Sequence, residues 1–133
     1  MICGQLRDSP MKFCLLVEQS DVIRKIAKHL LEEEHYLVVE ADNGKTALDM
    51  FKRGVPDLIL LDWQVKNIGA LEFLAQIQPL LDDNKRTRIV YCTTENDPAV
   101  ISKALQASAT DVLMKPFTRK MFMAKLQPAA LAA

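Results

Sequence analysis

Five short apolar runs recur along the chain: 13–17 (FCLLV), 36–39 (YLVV), 58–61 (LILL), 89–92 (IVYC) and 111–114 (DVLM). They are rich in Val, Ile and Leu, and most do not alternate with polar residues. Strands that read this way are buried on both faces, as in a parallel sheet covered by helices on each side.

The gaps between the runs carry helical spacing. Over 21–34 the apolar stripe is Ile23, Ile26, Ala27, Leu30 and Leu31, with Ser20 as N-cap and Asp21 at the positive end of the helix dipole. A second helix starts near Asn43, uses Ala47, Leu48 and Phe51, and stops at Gly54. A third uses Leu71, Leu74 and Ile77, and Pro79 ends or kinks it. The fourth opens with Asp97-Pro98 and buries Val100, Ile101, Ala104 and Leu105. The fifth opens at Thr118, uses Phe122 and Leu126, and stops before Pro128. Strand alternating with helix predicts an α/β fold, a doubly wound five-stranded parallel sheet of (βα)5 type.

A chain of 133 residues suggests one domain, with 1–11 a loose leader, 12–127 the folded unit and 128–133 a frayed tail. Lys plus Arg balance Asp plus Glu at 17 each, so nothing favours direct nucleic-acid contact. The three cysteines, Cys3, Cys14 and Cys92, form no Cys-x-x-Cys pair. Cys14 and Cys92 sit inside apolar runs and read as core residues of a reducing, cytoplasmic protein. No run has the length of a membrane span, and the start lacks the pattern of a signal peptide.

The run 58–61 stops on a carboxylate, Asp62, although a charge beside a core is costly unless something pairs with it. In a parallel sheet the residues after each strand share one edge, where ligands bind. That edge collects Glu18 and Gln19, Asp62, Thr93 and Thr94, and Lys115. Polar residues after strands commonly only cap or turn the chain. Two carboxylates on neighbouring strand ends, however, repel unless a cation sits between them. Oxygen ligands suit Mg²⁺, and a lysine and a hydroxyl nearby suit a phosphoryl group.

The segments "LLVEQSDVIRKI", "VVEADNGKTALDMF", "PDLILLDW" and "VLMKPFT" resemble a response-regulator receiver domain of the single-domain, chemotaxis-regulator type, over roughly 12–127. The resemblance implies a flavodoxin-like (βα)5 sheet and a signalling protein of two-component phosphorelays, not an enzyme beyond Mg²⁺-dependent self-phosphorylation and dephosphorylation. It implies Asp62 as phosphoryl acceptor from a histidine kinase or phosphotransfer protein. It implies Mg²⁺ held weakly by Glu18, Asp62 and the backbone carbonyl of Gln64, with Gln19 a further candidate ligand. Thr93 and Lys115 match the residues that stabilise the phosphoryl group, and Lys115-Pro116 matches a cis bond. The implied output is an unnamed downstream protein bound on the face of helix four, strand five and helix five, including Lys103, Gln106, Lys120 and Met123. No membrane contact is implied.

The departures are specific. The family usually places two acidic residues after strand one, whereas here Gln19 follows Glu18. A unit charge pair at about 4 Å is worth roughly 4 kcal/mol at an effective dielectric near 20, before desolvation, so the missing charge implies weaker metal binding. After Asp62 the family commonly reads Met-Pro-x-x-Asp-Gly; here Val65, Lys66, Asn67, Ile68, Gly69 and Ala70 follow, and Lys66 and Thr94 are candidate modulators. Val112 replaces a common aromatic on strand five, and Ser108 a common Gly. These departures leave a phosphorylation-independent interaction module as the alternative. An unrelated enzyme on the same sheet is disfavoured by the lack of a Gly-rich loop after strand one and of a nucleophile–base pair. His29 and His35 lack a partner constellation, and 121–123 reads as core plus an exposed face.

Overall fold

The computed structural model describes residues 12–81, 87–94, 97–106 and 111–126. The expectations for the leader, Ser108 and the tail lie outside these residues, as do those for the side chains of Ala104 and Leu105. In chain order the elements are β1 (Lys12–Val17), α1 (Asp21–Glu33), β2 (Tyr36–Ala41), α2 (Gly44–Arg53), β3 (Leu58–Asp62), α3 (Ala70–Ile77), β4 (Arg88–Thr93), α4 (Pro98–Gln106), β5 (Asp111–Met114) and α5 (Arg119–Leu126). The strands form one parallel sheet in the order β2-β1-β3-β4-β5. The winding reverses between β1 and β3, which puts the switch point, and the expected ligand crevice, beyond their carboxyl ends.

The helix starts lie where local chemistry puts them. Ser20 Oγ accepts from the Ile23 N–H at 3.3 Å, and Asn43 Oδ1 accepts from the Thr46 N–H at 2.9 Å. Asp97 Oδ1 accepts from the Ala99 N–H at 2.9 Å and Thr118 Oγ1 from the Met121 N–H at 3.1 Å. Each satisfies a donor that the first helical turn leaves without a partner. At Pro79 the α-helix gives way to one 3₁₀ turn, Gln78–Leu80.

The two faces of the sheet share the apolar runs between them. Alternate residues point to opposite faces, so Leu15, Ile59, Leu61, Ile89 and Tyr91 pack under α2 and α3, beside Phe51, Phe73 and Ile77. Cys14, Leu16, Leu58, Leu60, Val90 and Cys92 pack under α1 and α5, with Leu31 and Phe122. That division is why the runs do not alternate.

Two stripe assignments are corrected. Ile26 is 49% exposed and Leu71 is 42% exposed. Each lies one residue, about 100° of helix rotation, from a buried alanine, Ala27 or Ala70, and so on the flank of its stripe. Helices that cover only one sheet face leave that flank in water. Val100 and Ile101 are half-buried. β2 is an edge strand, which leaves Leu37 exposed.

Tyr91 is fully buried, its ring in edge contact with Trp63 at 5.0 Å between centroids. Among the described residues its hydroxyl has no hydrogen-bond partner. A buried polar atom left unsatisfied is destabilising. Tyr91→Phe removes only that oxygen, and should stabilise the fold by about 1 kcal/mol, read as a higher midpoint in urea at unchanged slope. An unchanged or lower midpoint would mean the hydroxyl is satisfied.

Candidate functional site

Strand parity builds the site. Glu18 stands two residues beyond Leu16, Asp62 two beyond Leu60, and Lys115 two beyond Leu113, so all three leave the sheet on the α1/α5 side. Their residues are 3%, 1% and 9% exposed. Lys115 Nζ donates to Glu18 Oε1 at 3.0 Å and to Asp62 Oδ1 at 3.1 Å. One ammonium therefore lies between the two carboxylates. This is the cation that the end of β3 requires.

The backbone completes the cage. The Ser20 N–H donates to Glu18 Oε2 at 3.0 Å, and the Gln64 N–H to Asp62 Oδ1 at 3.0 Å. The Gln19 N–H makes a longer contact, 3.4 Å, with Asp62 Oδ2. The Glu18 N–H is tied to the Ala41 carbonyl at 3.0 Å, and the Lys115 N–H to the Thr93 carbonyl at 2.8 Å. Thr93 is buried at the end of β4, while Lys66 and Thr94 are exposed. Val112 is half-buried and pairs in register with Tyr91. The Lys115-Pro116 bond is cis, as the resemblance implied.

Burial pushes the Glu18 carboxyl up from the ordinary range, opposed by the Ser20 N–H, raised further by the Asp62 charge and opposed by Lys115. Burial pulls Lys115 down, but its hydrogen bonds and attraction to Glu18 and Asp62 outweigh this, and the net shift is upward. Cys92 lies opposite Asp62 in register, and burial pushes its thiol up to about 12, which leaves it an inert core residue.

Two residues shape the site without having stood out in the sequence. A Cβ on Gly44 would lie 1.9 Å from the Ile68 carbonyl oxygen, and the Gly44 N–H donates to the Lys66 carbonyl at 2.9 Å. The loop after β3 thus rests on the first turn of α2, and only glycine permits the approach. Arg24 donates to the Glu18 carbonyl at 2.8 Å. Sequence shows Arg24 only as a partner three residues after Asp21.

The carboxylate set suits a hard divalent cation that takes one or two carboxylates and completes its shell with water and phosphate oxygens. Glu18 and Asp62 supply charge; Gln19, half-buried, supplies none. Among the described residues no group of three His, Cys, Asp or Glu is placed to hold a metal.

A buried lysine–carboxylate site at the switch point of a 2-1-3-4-5 sheet defines a class of phosphoryl-handling α/β signalling domains. The chain belongs to the response regulator receiver domain family, whose pattern matches residues 14–127. It is 30% identical over 112 residues to the chemotaxis protein CheY of Halobacterium salinarum, covering 84% of this chain and 91% of that one. It is 31% identical over 113 residues to CheY-3 of Vibrio cholerae, covering 84% and 86%. Among solved structures, CheY4 of Vibrio cholerae superposes with a TM-score of 0.81 at 29% identity, covering 89% of this chain and 98% of that one. The receiver domain of Ssk1, crystallised with the Saccharomyces cerevisiae histidine phosphotransfer protein Ypd1, superposes at 0.78 with 25% identity, covering 87% and 86%. These likenesses place the chain in phosphorelay signalling rather than with a phosphorylation-independent module, in a family that generally signals rather than catalyses and generally binds Mg²⁺. No described helix is long and apolar enough to cross a membrane.

The raised Glu18 value fixes a pH dependence. An acid whose folded value lies above its unfolded value contributes stability that is fully present below the unfolded value. That contribution is lost as pH rises through the folded value. Ionised Glu18 is therefore a net cost to the cation-free protein at neutral pH. Glu18→Gln should raise the urea midpoint at pH 7 without divalent cation, and the gain should shrink toward pH 4. A loss of stability at pH 7 would show that the bond to Lys115 outweighs burial.

Proposed function

We propose that Asp62 accepts a phosphoryl group from a phosphohistidine of a kinase or phosphotransfer protein, and that the acyl phosphate formed switches contacts with a downstream protein. One observation supports this most: Lys115 bridges Glu18 and Asp62, and all three are buried. Asp62 Oδ1 is occupied by Lys115 and the Gln64 N–H, whereas among the described residues Oδ2 has only the long contact with Gln19. Oδ2 is thus the oxygen left to attack phosphorus. In the transfer the donor's P–N bond breaks, a P–O bond to Asp62 forms, and the leaving imidazole takes a proton from solvent. Lys115 supplies positive charge to the new phosphoryl oxygens, and the Thr93 hydroxyl supplies a hydrogen bond. Mg²⁺ held by Glu18, Asp62 and the Gln64 carbonyl, with Gln19 as a neutral ligand, would add charge to the same oxygens.

In this reading residues 12–127 form the receiver unit, and the buried free thiols Cys14 and Cys92 suit the cytoplasm. The output surface is the face of α4, β5 and α5, where Lys103, Gln106 and Lys120 are exposed and Met123 is half-buried. Lys66 and Thr94 stand exposed at the rim as modulators, and Val112 offers no ring to move.

Incubation with acetyl phosphate and Mg²⁺ should add one phosphoryl mass, and Asp62→Asn should abolish it. Full labelling of the Asn variant, or none of the wild type by acetyl phosphate or cognate kinases, would overturn the assignment.

Gln19 sets the metal affinity in the same reading. Trp63 adjoins Asp62, so its fluorescence should report metal arriving. Gln19→Asp should tighten Mg²⁺ by at least about tenfold, or roughly 1.4 kcal/mol. That lies below the gross Coulomb value because the new carboxylate must be desolvated and repels its neighbours. Unchanged affinity and unchanged labelling would mean that Gln19 does not face the metal.

A further inference from the structure

We propose that Arg24 is a positioning residue that aims the Glu18–Gln19 peptide unit at Asp62. Three groups of the site come from a corner with no regular structure of its own: the Glu18 carboxylate, the Gln19 N–H and the Ser20 N–H. β1 ends at Val17 and α1 begins at Asp21. The sheet holds the corner from one side, through the Glu18 N–H on the Ala41 carbonyl.

Arg24 holds it from the other side. Its Nη1 donates to the Glu18 carbonyl at 2.8 Å, its Nη2 to Asp21 Oδ1 at 2.5 Å, and its Nε to Glu40 Oε1 at 3.3 Å. One rigid guanidinium thus joins the exit of β1, the first turn of α1 and β2. Its side chain is only 17% exposed. The held carbonyl belongs to the same planar unit as the Gln19 N–H, and in a trans peptide the two point in opposite directions. Gripping the carbonyl on the α1 side therefore turns the N–H toward Asp62 Oδ2, where it lies at 3.4 Å. The contact of Gln19 with Asp62 is made by its backbone N–H, and Arg24 decides where that backbone points.

Lysine cannot substitute. An ammonium is a point charge without the planar fork that reaches three partners in fixed directions. Charge and position also predict opposite outcomes. Arg24→Ala removes a cation, leaves Asp21 uncompensated and leaves Glu40 paired with Lys28 alone, which by Coulomb attraction alone would strengthen divalent-cation binding. A misplaced corner weakens it instead.

The test compares Arg24→Ala and Arg24→Lys with wild type by backbone ¹⁵N relaxation, without metal or phosphodonor, and then by Mg²⁺ titration of Trp63 fluorescence. In both variants the order parameters of Gln19 and Ser20 should fall from about 0.85 toward 0.6 or below, while Leu15 and Leu16 stay rigid. Mg²⁺ should bind several-fold more weakly in both. Wild-type order parameters in the variants, tighter Mg²⁺ in Arg24→Ala, or full rescue by Arg24→Lys would overturn the proposal. If Arg24→Ala does not fold, Arg24→Lys, which keeps the charge, carries the same decision. The consequence for phosphorylation rests on Asp62 being the acceptor. Failure of that reading shows separately, as absent wild-type labelling beside an intact effect on the corner.

Discussion

The site rests on the Lys115 ammonium lying between the buried carboxylates of Glu18 and Asp62. Desolvating an ion costs several kcal/mol even after relaxation, and attraction offsets that only with good geometry and further hydrogen bonds. Here those bonds come from the Ser20 and Gln64 N–H groups, so each carboxylate is held by one ammonium contact and one strong backbone donor. Two ionised carboxylates against one ammonium still leave one negative charge in a buried site. The surplus is what a second cation, or the redistribution of charge on phosphoryl transfer, would act on. The cluster is held together by these bonds without being electrically complete.

Everything else in the structure serves to bring these three groups together. Asp62 sits on the central strand of the sheet, with its neighbours β1 and β4 ending on the same edge, and Lys115 arrives from the turn beyond β5. The alternation that divides the two cores also decides that Glu18, Asp62 and Lys115 emerge on one face. A register slip of one residue in any of these strands would turn its charged group to the other side. The apolar runs thus do two things at once. They supply the burial that holds the sheet, and they fix which way the terminal charges point.

Much of this was legible in the chain because it is local or periodic. The five runs, the caps Ser20, Asn43, Asp97 and Thr118, and the stop near Pro79 each follow from a few adjacent residues. The co-location of Glu18, Asp62 and Lys115 followed from one step more, that parallel strands share an edge. Ile26 and Leu71 misled because an apolar residue on the flank of a stripe looks like one at its centre until the covering surface is known. Gly44, Tyr91 and Arg24 were not legible for a different reason. Their importance lies in contacts with Ile68, Trp63 and the Glu18 carbonyl, and spacing along a helix or strand says nothing about those.

The departures from the family pattern also divide by burial. Gln19, Lys66 and Val112 are half-buried or exposed, whereas Glu18, Asp62, Thr93 and Lys115 are buried. At the rim, water screens a changed charge, so replacing an acid by Gln19 or adding Lys66 shifts the field by modest amounts and leaves the fold intact. Inside, the loss of Lys115 would leave both Glu18 and Asp62 buried without their cation, at a cost of about 3–5 kcal/mol, a large part of a domain's whole stability. The interior triad and the rim are therefore under different physical constraints. In the proposed reading, affinity for a cation is open to adjustment at the rim, while the arrangement that places a carboxylate against an ammonium is fixed by the core that surrounds it.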